Sequence, residues 1–282
     1  MCSMGRIVVL LACVFCGIAR ADLIVLDNGA IRVEIDPVVF SVRFVGFPGG
    51  ANFVEPSYLT DVARDGAEWL DPGGLTTDLV PLDVRDAALR RGPAEVLSQE
   101  PTRVVLLGAE SHALGLRLKK EIRLDATAAR AYYIVTALSS RAEGVSLGIR
   151  NTVRVPLRST VRVPRKDTTF APLPGMPKAA WALVNSADFW LVPIPPTARV
   201  DKLALGGMSP ALEVQNDAGV WSRRLTLPPT EATRVLNGTS ALVVLDDATR
   251  SYGASLQGEQ ATLGGATPLQ LTEEWTLTRR GR

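Results

Sequence analysis

Apolar and polar residues alternate along most of this chain, and no stretch longer than a few turns carries helical periodicity. The pattern is clearest between Leu23 and Phe53. Ile31, Val33 and Ile35 share one phase while Arg32, Glu34 and Asp36 share the other, the period of a half-buried strand. Asp27-Asn28-Gly29 precedes them as a hairpin signal, because Asn and Gly tolerate the positive φ of tight turns. Pro37 ends the strand by withholding a ladder donor. Phe40, Val42 and Phe44 then alternate with Ser41, Arg43 and Val45, which predicts a second strand with the aromatic set inward. A glycine loop, Gly46 to Phe53, closes the unit.

Further along, the polar stretch before Gly66 has room for a short helix, and Leu79–Val84 and Val96–Gln99 read as short strands. Thr102–Gly108, Leu114–Leu124 and Ala131–Leu138 read as three consecutive strands, with Lys120 breaking the apolar phase of the second. Val145 to Leu157 is the longest alternating run; Asn151 sits on its apolar phase and Arg150, Arg154 and Arg158 on the other, followed by Arg162. Ala180–Pro193 predicts a hairpin. Short strands recur to the last one, Pro268–Thr278, with turns roughly every ten residues. Such spacing predicts an all-β fold, a large antiparallel β-sandwich.

The string Leu26-x-Asn28-Gly29-x-Ile31-x-Val33, then Pro37, a strand carrying Arg43 and a glycine loop ending in Asn52, resembles the N-terminal hairpins of the galactose mutarotase-like superfamily. Within it, the likeness is to a bacterial family with the aldose-epimerase-type β-sandwich. The resemblance implies a supersandwich over 22–282, with an Asn and an Arg near this point reaching a sugar, here Asn52 and Arg43. It also implies a functional glutamate near the C-terminal end, which in this chain is Glu273 or Glu274.

The first residues change the expected location. Arg6 precedes the apolar run Ile7–Ile18, and Ala19-Arg20-Ala21 offers small residues to a signal peptidase, so 1–21 reads as a secretory signal with cleavage before Asp22. Leu10-Leu11-Ala12-Cys13 resembles a lipobox, which makes a lipid anchor at Cys13 the alternative. The expected location is the periplasm or the exterior, with an outer-membrane lipoprotein as the variant. The apolar run is too short for a spanning helix. Cys2, Cys13 and Cys16 all lie in this segment, so the chain beyond it has no thiolate and no disulfide. About 260 residues suffice for one core without one. Charge is balanced: 31 basic residues less Arg6 and Arg20 leave 29, against 29 acidic, which argues against nucleic acid as a partner.

Sugar binding calls for aromatic faces with carboxylates, amides and arginines around them. Candidate binding residues are Arg43, Asn52, Glu55, Trp69, Arg150 and Asn151, with Trp69 as the stacking ring. The even-spaced arginines from Arg150 to Arg162 suit either bidentate contacts with acidic sugars or a solvated strand face. Glu273 shares its phase with Leu271, Trp275 and Leu277, so its carboxylate turns toward a buried or cleft-facing side, where an arginine can pair with it. His112 is the single histidine. Mutarotases of this fold are expected to use two with a glutamate, and acid–base catalysis needs both a donor and an acceptor. His112, Glu273 and Glu274 are therefore the catalytic candidates only if the protein is an enzyme. No cofactor and no metal are expected, since no ligand spacing, P-loop, dinucleotide or nucleophile motif occurs. The favoured reading is an exported carbohydrate-binding protein without mutarotase activity. Its alternatives are a sugar epimerase or polysaccharide-processing enzyme using a C-terminal glutamate, and a structural or interaction protein of the envelope.

Overall fold

The computed structural model describes residues 22–57, 59–62, 68–71, 73–81, 87–139, 145–165, 170–174, 183–194, 203–227, 235, 239–246, 251–263 and 269–281. The first eleven elements are β1 Ile24–Asp27, β2 Arg32–Asp36, β3 Ser41–Gly46, β4 Leu59–Val62, β5 Glu68–Asp71, β6 Leu75–Val80, α1 Ala87–Arg91, β7 Glu95–Glu100, β8 Arg103–Leu107, β9 Leu116–Leu124 and β10 Arg130–Ser139. There follow β11 Ser146–Arg154, β12 Thr160–Pro164, β13 Ala171–Pro172, β14 Val184–Asn185, β15 Phe189–Pro193 and β16 Leu203–Gly207. The last are β17 Ala211–Asn216, β18 Gly219–Leu225, β19 Ala241–Asp246, β20 Ser251–Gln257, β21 Ala261–Thr262 and β22 Gln270–Arg279.

Two large antiparallel sheets hold nearly all of them. The first runs β1-β2-β3-β6-β11-β20-β19-β16-β13, with β21 added to β11; the second runs β14-β15-β12-β17-β18-β22-β10-β9-β8-β7. β4 and β5 form a hairpin of their own. The alternating residues explain the sandwich: Val33, Ile35, Leu75, Ile149, Val153 and Leu256 of the first sheet and Leu118, Ile122, Val135, Trp221, Trp275 of the second are all buried in one core. Among the described residues no helix is long and apolar enough to cross a membrane.

The Asp-Asn-Gly signal is a turn, and it also joins the sheets. Gly29 has φ +81°, and Asn28 Oδ1 accepts the amides of Ala30 and Ile31 at 2.9 and 2.8 Å. Its Nδ2 donates to the carbonyls of Asp125 and Ala128, in the turn between β9 and β10 of the opposite sheet.

The structure differs from the expectations at four places. In β3 the pairing Glu34 with Phe44 and Ile35 with Val42 leaves Arg43 as an extra residue, so a bulge breaks the alternation. Val45, with Phe40 and Val42, is buried as a result, and Phe44 is only half-buried. In the polar stretch that had room for a short helix, Leu59–Val62 is instead a strand paired with β5, and 63–67 lie outside the described residues. Of the strand expected at Leu79–Val84, Leu79 and Val80 are the end of β6, which begins at Leu75, and 82–84 lie outside the described residues. The arginine series is also divided: Arg150 and Arg154 lie on β11, Arg158 is exposed in a turn with φ +64°, and Arg162 is on β12 in the other sheet.

Candidate functional site

The expected polar intruders meet inside the sandwich. Asn151 of β11 and Glu273 of β22 are both fully buried, and Asn151 Nδ2 donates to Glu273 Oε1 at 2.9 Å. Arg223 of β18, also fully buried, grips the same carboxylate with Nε at 2.8 Å and Nη2 at 2.9 Å. Trp275 Nε1 gives the fourth hydrogen bond, at 2.9 Å. A carboxylate has about four lone-pair positions, so all are taken. Arg223 goes on to donate across the core to the carbonyls of Ala254 and Asn151, each at 3.1 Å. Thr77 Oγ1 donates to Asn151 Oδ1 at 2.8 Å; its own oxygen then accepts from the Tyr133 hydroxyl at 3.1 Å. Burial pushes the Tyr133 phenol well above the usual range. Trp275 packs edge-on to Trp221 at 5.3 Å and beside Tyr133 at 5.1 Å. This network ties the two sheets together from inside, away from solvent.

The residues of the opening hairpins do not join it. Asn52 Oδ1 accepts the amides of Val45 and Val54 at 3.1 and 3.0 Å, and its Nδ2 donates to the Arg43 carbonyl at 2.8 Å. The side chain thus clamps the glycine loop onto β3. The Asn52 carbonyl accepts from Asn216, next to the end where Gly219 pairs with Arg279. Glu273 is six residues further along β22, roughly 20 Å away at strand spacing. Glu55 Oε1 accepts from the amide and hydroxyl of Ser57. Glu274 faces the opposite side of β22 from Glu273 and pairs with Arg130 at 3.2 Å. His112 is exposed in the turn between β8 and β9. Trp69 lies in β5, and its side chain is outside the described residues, as is all of 1–21.

Lys120 takes another interior position. It points inward from β9, donates from Nζ to the Phe40 carbonyl at 2.6 Å, and lies 3.7 Å from the centre of the Phe40 ring. Burial lowers its amine to about 7. Among the described residues, no group of three His, Cys, Asp or Glu side chains is placed to hold a metal ion.

The outward side of the first sheet has a different character. Cross-strand pairing sets Thr76, Thr152 and Ser255 side by side on β6, β11 and β20, with Asp78, Arg150 and Gln257 in the next outward row. Thr152 and Ser255 hydroxyls are 2.9 Å apart. Arg150 donates from Nε and Nη2 to Gln257 Oε1 at 3.1 and 2.7 Å, and Asp78 pairs with Arg90 of α1 at 3.4 Å. Arg154 stands at the other end and donates to the Ser57 carbonyl. Glu55 and Gly74 hold that end by backbone: the Glu55 amide donates to the Arg154 carbonyl, and the Arg154 amide to that of Gly74. The β4–β5 hairpin lies in the chain between these two anchors. Thr76, Ser255, Gln257 and Arg154 are each under 5 % exposed, although they point away from the core. Asp78, Arg150 and Thr152 are the partly exposed members of these rows, so carboxylate, guanidinium and hydroxyl groups are what the face turns outward.

Comparison with solved structures identifies the architecture. The chain aligns with a candidate aldose 1-epimerase of Escherichia coli K12 at TM-score 0.59, with 9% identity over 92% of this chain and 99% of that one. It has the galactose mutarotase-like fold. A galactose mutarotase-like protein of Lactobacillus casei aligns at TM-score 0.52 and 11% identity, over 91% and 100% of the two chains. At these identities the mutarotase-like likeness is one of fold. No protein-family model and no curated protein matches the sequence significantly.

Arg223 carries a mark in the sequence too: it shares the phase of Trp221 and Leu225, the sign of a charge turned inward. Thr77, Tyr133, Asp78, Ser255 and Gln257 carry no such mark, since polar residues on a strand's outer phase and hydroxyls on its inner phase are both common.

Proposed function

We propose that this protein is an exported carbohydrate-binding protein that takes a sugar on the outward face of β6, β11 and β20 and does not act as a mutarotase. The observation that carries the reading is the outward polar row, Thr76, Thr152 and Ser255 beside Arg150, Gln257 and Asp78, of which Thr152, Arg150 and Asp78 are partly exposed. Hydroxyls, amides and guanidinium groups of this kind match the donors and acceptors around a pyranose. Arg150, expected as a binding residue, belongs to this face, whereas Asn151 points to the opposite side of the same strand.

The absence of mutarotase chemistry is supported by two placements. Anomer exchange needs a proton donor and an acceptor within reach of the sugar. His112 is exposed on a turn, and the Glu273 carboxylate is saturated by four donors in the core. Export is supported by the charge, apolar run and small residues of Met1–Ala21, with the Cys13 lipid anchor as its variant. Titration of the purified protein with a panel of neutral and acidic sugars, followed by calorimetry, tests the binding. Thr152→Val, close in shape, is expected to weaken any sugar that binds while leaving the melting temperature nearly unchanged. Absence of heat with every sugar would overturn the reading. Polarimetry on fresh α-galactose and α-glucose is expected to show the uncatalysed rate, and cell fractionation to place the protein outside the cytoplasm.

A further inference from the structure

We infer that the ligand of this face is a sugar bearing an oxyanion, a uronate carboxylate or a phosphate ester, held by Arg150 and Gln257. The inference rests on the carbohydrate reading above and goes one step beyond it, to the charge of the sugar.

Arg150 and Gln257 are directly opposed on β11 and β20, with Asp78 opposed to Arg150 on its other side. The guanidinium is largely buried, and its hydrogen bonds, from Nε and Nη2, both go to one neutral acceptor, Gln257 Oε1. Among the described residues no carboxylate lies within ion-pair distance of it; Asp78, the nearest by register, is paired with Arg90. Burial pulls the Arg150 guanidinium below the ordinary arginine range. A cation in such a place carries a desolvation cost that an amide oxygen offsets poorly and an anion offsets well.

Gln257 points to the same need. It is 2% exposed, and its Nε2 has no acceptor. The amide cannot be turned over to satisfy that nitrogen without presenting N–H groups to the guanidinium, which has only donors. The pair therefore offers Arg N–H and amide N–H groups together, and what is lacking is an acceptor with negative charge. Carboxylate and phosphate meet that demand, and arginine binds both through paired hydrogen bonds. Thr152 and Ser255 stand two residues along the strands, roughly 7 Å away, which suits ring hydroxyls of a pyranose whose exocyclic anion sits at Arg150.

The test is a calorimetric titration of the protein with glucuronate, galacturonate and glucose 6-phosphate, each against neutral glucose or galactose. The acids are expected to bind at least roughly tenfold tighter than their neutral counterparts, the worth of one charge-assisted hydrogen bond. Rising salt should narrow the gap. Arg150→Met is expected to erase the difference between acid and neutral sugar, and Gln257→Glu, which sets a carboxylate beside the guanidinium, to do the same; melting curves of both variants verify folding. Should Arg150→Met fail to fold, Arg150→Lys serves, with the charge kept and the paired geometry lost; a preference reduced severalfold is then expected. Binding of uronates alone, of the phosphate alone, or of both identifies the anion within the inference. Neutral sugars binding as tightly as acids, or a preference that survives in folded Arg150→Met, overturns it while leaving the carbohydrate reading in place. No binding by any sugar removes both.

Discussion

Arg223 and Glu273 meet in a two-point ion pair, Nε to Oε2 at 2.8 Å and Nη2 to Oε1 at 2.9 Å, with both side chains completely buried. The strands that carry them, β18 and β22, are neighbours in one sheet, yet the guanidinium also reaches the carbonyls of Ala254 and Asn151 in the other. Such a pair adds little net stability over an apolar filling, but losing one member strands the other in the core. Arg223→Ala and Glu273→Ala are each expected to cost roughly 3–5 kcal/mol in urea unfolding. Arg223→Met/Glu273→Leu should cost much less than the two single changes added together. Strict additivity would show that the charges are solvated and that the carboxylate is open to a ligand.

Lys120 predicts a pH dependence. Its amine is lowered by burial to about 7 in the fold, against an ordinary lysine value when unfolded. Below pH 7 the folded chain holds a buried charge, a penalty on the order of 5 kcal/mol. Between about 7 and 10.5 the unfolded chain retains the proton and the folded chain does not, so this group makes stability rise with pH. Lys120→Met should stabilise the protein at pH 6, and its advantage should shrink as pH approaches 10. Parallel stability curves for the two proteins across that range would contradict the assignment.

Asn52 separates a structural role from a binding one. Its amide satisfies the Val45 and Val54 N–H groups and the Arg43 carbonyl. Asn52→Ala is expected to lower stability by about 2 kcal/mol, since net hydrogen bonds contribute about 1 kcal/mol each and some backbone groups regain water. Sugar affinity, measured well below the melting temperature, should not change.

Gly74 holds the loop that meets Arg154. Its φ is +70°, and a Cβ there would lie 2.0 Å from the Val42 carbonyl oxygen. Gly74→Ala should therefore destabilise by about 2 kcal/mol or more, and it should weaken sugar binding by displacing the Glu55–Arg154 contact. A melting temperature equal to that of the unaltered protein would rule out the strain.

The strands were legible because a side chain's phase on a pleated ribbon follows from position alone: Val33, Ile35, Leu118, Ile122 and Trp275 read as inward, and they are. The same rule singled out Asn151, Lys120 and Glu273 as polar residues on apolar phases, and all three are buried. It could not say what meets them. Phase gives a face, whereas a partner depends on which strand lies across the core, and that is set by the packing of two ten-stranded sheets. Arg223 opposite Asn151, and Gln257 beside Arg150, come from strands separated in sequence by 72 and 107 residues. The bulge at Arg43 likewise belongs to the pairing of β2 with β3, and it reverses the phase beyond it. Local alternation decided which residues turn inward; long-range pairing decided whether an inward polar group is a tie between sheets and whether an outward row becomes a place for a ligand.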